Sequence, residues 1–363
     1  MRARMLPLLL FCVALCACNQ TPPVEEPVII EATSGDGETN YGAVSVDEPP
    51  VPEPPADLAT TTDWPEAMLE SGEARISCEV DYETSGDGAT LSDLGFEPMS
   101  ETMAPCQETG VLRLSYSGKV ATDFVTLVER VGVMADRMGL RNRILDIDSS
   151  GGQVEAAIRA GDLIAEAGWT IWVREDAVCH SSCVLVLAGG DNRLISGKVG
   201  VHRIIRLQSG ATSRAELSQE LQEVHANIEQ YLARNGGAVA LADMMMTVPN
   251  RSLRLLTTHE LEEFGIVGIN AAQDDLDRIR LARKCGEDFV RRRDNFFRSF
   301  DRKCARQDEN LDAMNTCGLE LRERFGFPDG KCRLDSPFSE FDQAIHASTS
   351  QASDADADST PAG

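Results

Sequence analysis

Three short stretches of this chain hold residue types that can together transfer an acyl group. They are Asp148-Ser149-Ser150-Gly151-Gly152, then Cys179-His180-Ser181-Ser182-Cys183 with the apolar run Val184 to Ala188 and Gly189-Gly190 behind it, then Gly200-Val201-His202. A serine hydroxyl is a poor nucleophile until a base within hydrogen-bond reach takes its proton, and an imidazole is suited to that task at neutral pH. Paired glycines let backbone N–H groups approach a reacting carbonyl with no side chain in the way, as an oxyanion site requires. A phosphate loop would be another use of the glycines, but neither GxGxxG nor GxxxxGK[ST] occurs. A metal set of Cys179, His180, Cys183 and His202 would consume the base, and no CxxC pair is present, so no metal and no cofactor is expected.

These residues need a scaffold, and the pattern around them supplies one. Val111 to Tyr116 alternates like a strand, Thr122 to Met138 carries an apolar stripe at helical spacing, and Arg143 to Asp148 reads as a second strand. The glycine turn follows, then a helix from Gln153 to Ala167 and a strand from Trp169 to Val173. The order βαβαβ calls for crossover connections and a parallel sheet, and such sheets bind ligands at turns like Ser149 to Gly152. Further on, Ser213 to Arg234 reads as a long helix with Ser213 and Glu216 as a capping box.

The order and spacing of the three motifs resemble the ClpP/crotonase superfamily, and within it exported ClpP-like serine peptidases. The resemblance covers Val111 to Asn270. It rests on Asp-Ser-x-Gly-Gly at a strand end, a serine leading an apolar segment that ends in Ala-Gly, and Gly-x-His at the end of the next strand. It implies an α/β fold with a ClpP/crotonase-like core of repeated βαβ units. It also implies Ser181 as nucleophile, with Ser182 as the neighbouring alternative, and His202 as general base. The amides of Gly151 or Gly152 and of Ser182 would be the oxyanion donors. The family's aspartate position falls near Leu253, where no carboxylate stands. Asn250 could take its place, or the site could run as a Ser-His dyad; losing an orienting acid costs about 10⁴ in rate. Two functions follow from different classes: a peptidase acting on peptide or protein substrates, or a module that keeps the groove and binds without catalysis. Acyl-CoA chemistry fits neither the sequence nor an exported protein. The family's habit of assembling makes a homo-oligomer an open expectation. His225 and His259 read as structural or surface residues.

Composition bounds the rest. Lys and Arg number 34 against 59 Asp and Glu, a net charge of -25 over 363 residues, so nucleic acid is excluded as a partner. Arg2 and Arg4 followed by the apolar stretch Leu6 to Leu15 make an export signal, ending in Leu15-Cys16-Ala17-Cys18. That ending resembles the bacterial lipobox, with Cys18 as the lipidated residue and the membrane as a partner through it. With Asn19 rather than Asp next, the expected location is the periplasm of a Gram-negative envelope, at the outer membrane in preference to the inner. Residues 19–72 carry nine of the sixteen prolines, twelve acidic residues and no Lys or Arg, and read as a disordered tether. Residues 346–363 read as a disordered acidic tail.

Setting aside Cys12, Cys16 and Cys18, eight cysteines remain, an even number suited to disulfides in an exported chain. Cys285 and Cys304 fall on one face of one expected helix, about 28 Å apart, and cannot pair with each other. Nested bridges Cys304–Cys317 and Cys285–Cys332 would instead staple a helical hairpin over residues 273–345. Cys78–Cys106 would close a small acidic subdomain over 73–110, before the catalytic-type domain at 111–272. Cys179 and Cys183, about 6 Å apart across one helical turn, could bridge beside Ser181.

Overall fold

The computed structural model describes residues 26–31, 44–45, 57–79, 86–206, 209–249, 252–305 and 311–339. The export signal with Cys18, the acidic tail and Asn250 lie outside the described residues. In chain order the described strands are β1 (Ile29–Glu31), β2 (Val44–Ser45), β3 (Gly72–Ser77), β4 (Ala89–Leu91), β5 (Val111–Gly118), β6 (Asn142–Asp148) and β7 (Trp169–Val173). They continue with β8 (Val178–His180), β9 (Asn192–Ile195), β10 (Lys198–Val201), β11 (Ile205–Arg206), β12 (Ser252–Leu255) and β13 (Gly268–Ile269).

A seven-stranded sheet in the order β13-β9-β7-β6-β5-β3-β4 is the spine, with β5, β6, β7 and β9 mutually parallel. The helices Thr122–Met138 and Val154–Ala167 make the two crossovers between β5, β6 and β7. Their apolar stripes, Phe124, Leu127, Val131 and Met134 on one and Val154, Ala157, Ala160 and Ile164 on the other, pack in one core with Leu112, Leu114, Leu145, Ile147 and Ile171 of the strands. The elements expected between Val111 and Val173 are thus present in the order read. Helix Cys183–Ala188 is buried on every side, which explains why its sequence is apolar without periodicity. A smaller sheet in the order β1-β12-β10-β8 stands beside the spine, and β2 pairs with β11 alone.

Three expectations need correction. Residues 73–110 do not close a subdomain of their own. β3 pairs antiparallel with β5 along its whole length, and Ala74, Ile76, Met99 and Met103 enter the common core, so the stretch widens the main sheet. Nor are residues 57–72 a free tether: Leu58, Trp64 and Leu69 are buried, and Arg130, itself buried, donates to the carbonyls of Leu94 (2.6 Å) and Pro65 (2.7 Å). A proline-rich, acidic average concealed three apolar anchors. Finally, Cys285 and Cys304 do not share a helix. Gly286, at φ 95°, breaks the run into Ala271–Cys285 and Glu287–Lys303.

All four cystines pair as the spacing suggested: Cys78–Cys106, Cys179–Cys183, Cys285–Cys332 and Cys304–Cys317. The last two clasp the C-terminal helices around Phe289, Phe296 and Phe327. Among the described residues no helix is long and apolar enough to cross a membrane.

Candidate active site

Ser181 is the first of the two residues, Ser181 and Ser182, that join the end of β8 to the buried helix, and its backbone lies in the left-handed region at φ 63°. Among the described residues only Ser181 and Phe338 do so without being glycine. Such a conformation costs about 1–3 kcal/mol and persists only where the surroundings impose it. The surroundings here are specific. The Ser181 N–H donates to Gly200 O at 2.7 Å, tying the turn to β10. The Cys179–Cys183 cystine joins the strand before the turn to the first residue of the helix after it, with Cα atoms 5.2 Å apart. Tyr231, buried on helix Arg214–Arg234, donates from its hydroxyl to Leu185 O at 2.6 Å and so pins that buried helix.

The glycine turn meets this serine from the end of β6. Ser149 N–H donates to Val178 O at 2.7 Å, and His180 N–H donates to Ser149 O at 2.9 Å, a parallel bridge that joins the two sheets. Asp148 holds the junction by accepting the Val178 N–H at 3.0 Å, which gives the aspartate of the Asp-Ser-x-Gly-Gly motif a positioning role. Gly151, at φ 96°, passes so close that a Cβ there would stand 2.6 Å from Ser181 Cβ and 3.0 Å from its Oγ. No other residue type fits. Of the expected oxyanion donors, the Gly151 N–H already donates to Ser149 Oγ at 3.1 Å. The amides of Gly152 and Ser182 donate to no other described residue.

His202 stands just past the end of β10, two residues beyond the Gly200 carbonyl that holds Ser181. Its Nδ1 lies 3.2 Å from Ser252 O, on β12. A carbonyl only accepts, so this contact places the proton on Nδ1 and leaves Nε2 with its lone pair. The orienting group that the sequence lacked is therefore a main-chain oxygen, next to Leu253 where the family's aspartate would fall. No sequence signal could have found it, because every residue carries a carbonyl. Burial lowers the His202 pKa, while the Ser252 carbonyl works in the opposite direction.

Polar groups without partners cluster here. His180 Nε2, Ser181 Oγ and Ser182 Oγ, on three successive residues, are buried and find no hydrogen-bond partner among the described residues. Each such group costs about 1–3 kcal/mol, and native interiors hold few of them. Burial, then the nearby charge of His202, pushes the His180 pKa down to about 4, so its ring is neutral at pH 7. From its sequence context His180 is a candidate metal ligand alone, and that set cannot form while Cys179 and Cys183 spend their thiols on each other. The Ser181 hydroxyl does not hydrogen-bond the His202 ring, and Ser181 is 0% exposed. His225 is bound to Asp243 at 3.0 Å on the outer face of the long helix, and His259 is solvent-exposed, both away from these residues.

No protein-family model matches the sequence. No curated protein matches it either. Among solved structures, the chain is similar to a serine-to-alanine mutant of the 1510-N membrane-bound stomatin-specific protease, with a TM-score of 0.35 and 15% identity over 46% of this chain and 81% of that one. It is similar to a lysine-to-alanine mutant of that protease in complex with a substrate peptide, at a TM-score of 0.35 and 18% identity over 46% of this chain and 76% of that one. It is also similar to an asparagine-to-aspartate mutant of ClpP1 from Listeria monocytogenes, at a TM-score of 0.35 and 15% identity over 46% of this chain and 92% of that one.

Proposed function

We propose that this chain is an extracytoplasmic ClpP-like serine peptidase with Ser181 as nucleophile and His202 as its base. The observation that carries this reading is the strained, partnerless Ser181 set over Gly151, beside a histidine whose Nδ1 is held by the Ser252 carbonyl. Ser182 is the weaker candidate for nucleophile, since it sits in an ordinary right-handed conformation at the helix cap.

The chemistry runs in two halves. The reaction requires Ser181 Oγ to meet His202 Nε2, and the Ser181 N–H to Gly200 O bond ties the serine turn to the strand that leads into His202. The Oγ attacks the carbonyl carbon of the scissile amide as its proton passes to Nε2. The amides of Gly152 and Ser182 receive the oxyanion, each donor being worth about 10² to 10³ in rate. Collapse of the tetrahedral intermediate breaks the C–N bond, and the imidazolium returns the proton to the leaving amine. Water then attacks the acyl-serine with His202 as base again, releasing the carboxylic acid and restoring the hydroxyl. The place of the orienting carboxylate beside His202 is taken by Ser252 O, a neutral dipole instead of a charge, so a modest turnover is expected.

Four cystines support an oxidising compartment, and the Arg2-to-Cys18 segment supports export and lipid attachment there. The missing hydrogen bond from Ser181 to His202 favours a second reading, a binding module with no catalysis. A fluorophosphonate probe separates the two. Labelling that disappears in both Ser181→Ala and His202→Ala, with melting temperatures unchanged, supports the peptidase. Well-folded chain that never labels, whether intact or freed of the residues before position 57, supports the module.

A further inference from the structure

The N-terminal stretch supplies two short strands, and both lie against the elements that carry His202 and its support. β1 pairs antiparallel with β12, Ile30 opposite Leu253 and Glu31 opposite Ser252, the residue whose carbonyl holds the imidazole. β2 pairs in parallel with β11, Val44 opposite Ile205 and Ser45 opposite Arg206, on the strand that opens three residues after His202. Ser45 is 0% exposed. Its hydroxyl donates to Glu155, on the helix that leaves the Gly151-Gly152 turn, and accepts from Arg206 Nη1 at 2.9 Å. Arg206 is itself held by Glu220 at 3.1 Å. Ser45 thus joins the strand after the base to the helix after the glycine turn.

An extended peptide binds a sheet by adding a strand to a free edge, with main-chain hydrogen bonds giving the affinity. Here the chain itself has taken the edges of β12 and β11, and Ser181 has no solvent exposure. The way the segment is held is as informative as its position. Val28, Ile29 and Ile30 are 55%, 55% and 47% exposed, so β1 rests on backbone pairing rather than on apolar burial. A strand held in this way opens at far lower cost than the buried core strands.

We propose that Ile29–Glu31 and Val44–Ser45 are a built-in pseudosubstrate, which keeps the serine in a blocked resting state until it is displaced or cut away. The proposal rests on the peptidase reading above. The complete burial of Ser181, which finds no hydrogen-bond partner among the described residues, is what such a blocked state requires. Ser45, keyed between Glu155 and Arg206, is the latch.

The test uses the full chain carrying an inserted recognition sequence for a site-specific protease between residues 46 and 56. Fluorophosphonate labelling rates are measured on the intact protein, after the cut, and after the released fragment is removed by gel filtration. A synthetic peptide spanning residues 26–47 is then added back. The expected result is at least a tenfold faster labelling once the fragment is gone, reversed by the peptide. In the uncut chain Ser45→Glu, which sets a carboxylate against Glu155, should also label at least tenfold faster with its melting temperature within a few degrees of the parent. Equal labelling before and after the fragment leaves overturns the proposal and leaves the peptidase intact. No labelling in any state overturns the peptidase and this proposal with it.

Discussion

The turn around Ser181 and the C-terminal helices are both clasped by cystines, and the clasps do opposite work. In the C-terminal part, bridges spanning 47 and 13 residues enclose a cluster of phenylalanines, and none of the partnerless buried side chains of the described residues lies there. Around Ser181 a bridge spanning only 4 residues encloses a left-handed serine and three successive polar groups with nothing to bond. One region spends its cross-links on stability. The other spends its cross-link on holding an unfavourable arrangement in place.

The contrast breaks most sharply at the serine itself. Ser181→Gly should abolish labelling, a loss on the order of 10⁴ or more. It should also stabilise the fold by about 1–2 kcal/mol, because glycine is at ease at φ 63° and no hydroxyl is left unpaired. Denaturant unfolding beside the labelling assay reads both, and a destabilised Ser181→Gly would argue that the conformation is not strained. Next comes Gly151→Ala. Its methyl would stand 2.6 Å from Ser181 Cβ and 2.7 Å from His180 O, at a φ of 96° that alanine resists. The expected cost is about 10² to 10³ in labelling rate, from displaced donors and nucleophile, with roughly 1–3 kcal/mol of stability.

The cystines then allow the two regions to be exchanged as test and control. Cys179→Val with Cys183→Ala should slow labelling by about 10², since a shift of an ångström in a nucleophile costs that much, with a smaller loss of stability. Cys304→Ser with Cys317→Ser should do the reverse. Opening its 13-residue loop removes about 3 kcal/mol by chain entropy and leaves the labelling rate within twofold. If both pairs changed stability alone, the turn cystine would be a brace like the other.

What was readable in the sequence follows from which interactions are periodic. Phe124, Leu127, Val131 and Met134 repeat at helical spacing because one face of that helix meets the sheet, so the crossover helices and parallel strands stood out. The three motifs stood out because glycine at Gly151 and serine at Ser181 are chosen by sterics and chemistry, not by pattern. The failures also have physical reasons. Trp64 and Leu69 are anchors in a polar stretch, and an average over that stretch hides them. Gly286 lies inside a continuous helical stripe, so only its backbone reveals the break. Neither the pairing of β1 with β12 nor the Ser252 carbonyl on His202 leaves a residue-type signature, since any backbone can make them.

The smallest effects test that carbonyl most directly. If Ser252 O fixes the proton on Nδ1, Asn250 has no essential part, and Asn250→Ala should label within threefold of the parent. The pH profile carries the same information with a defined sign. Only the neutral imidazole accepts a proton, and burial sets the His202 pKa below its ordinary value near 6.5. The acid limb of the labelling profile should therefore fall below pH 6.5, with the rate constant above it and lost as the pH drops through the lowered pKa. A charged partner on Nδ1 would act in the other direction, stabilising the imidazolium and moving the limb above 6.5. An acid limb at or above 6.5 would thus mean that a carboxylate, and not a backbone oxygen, faces His202.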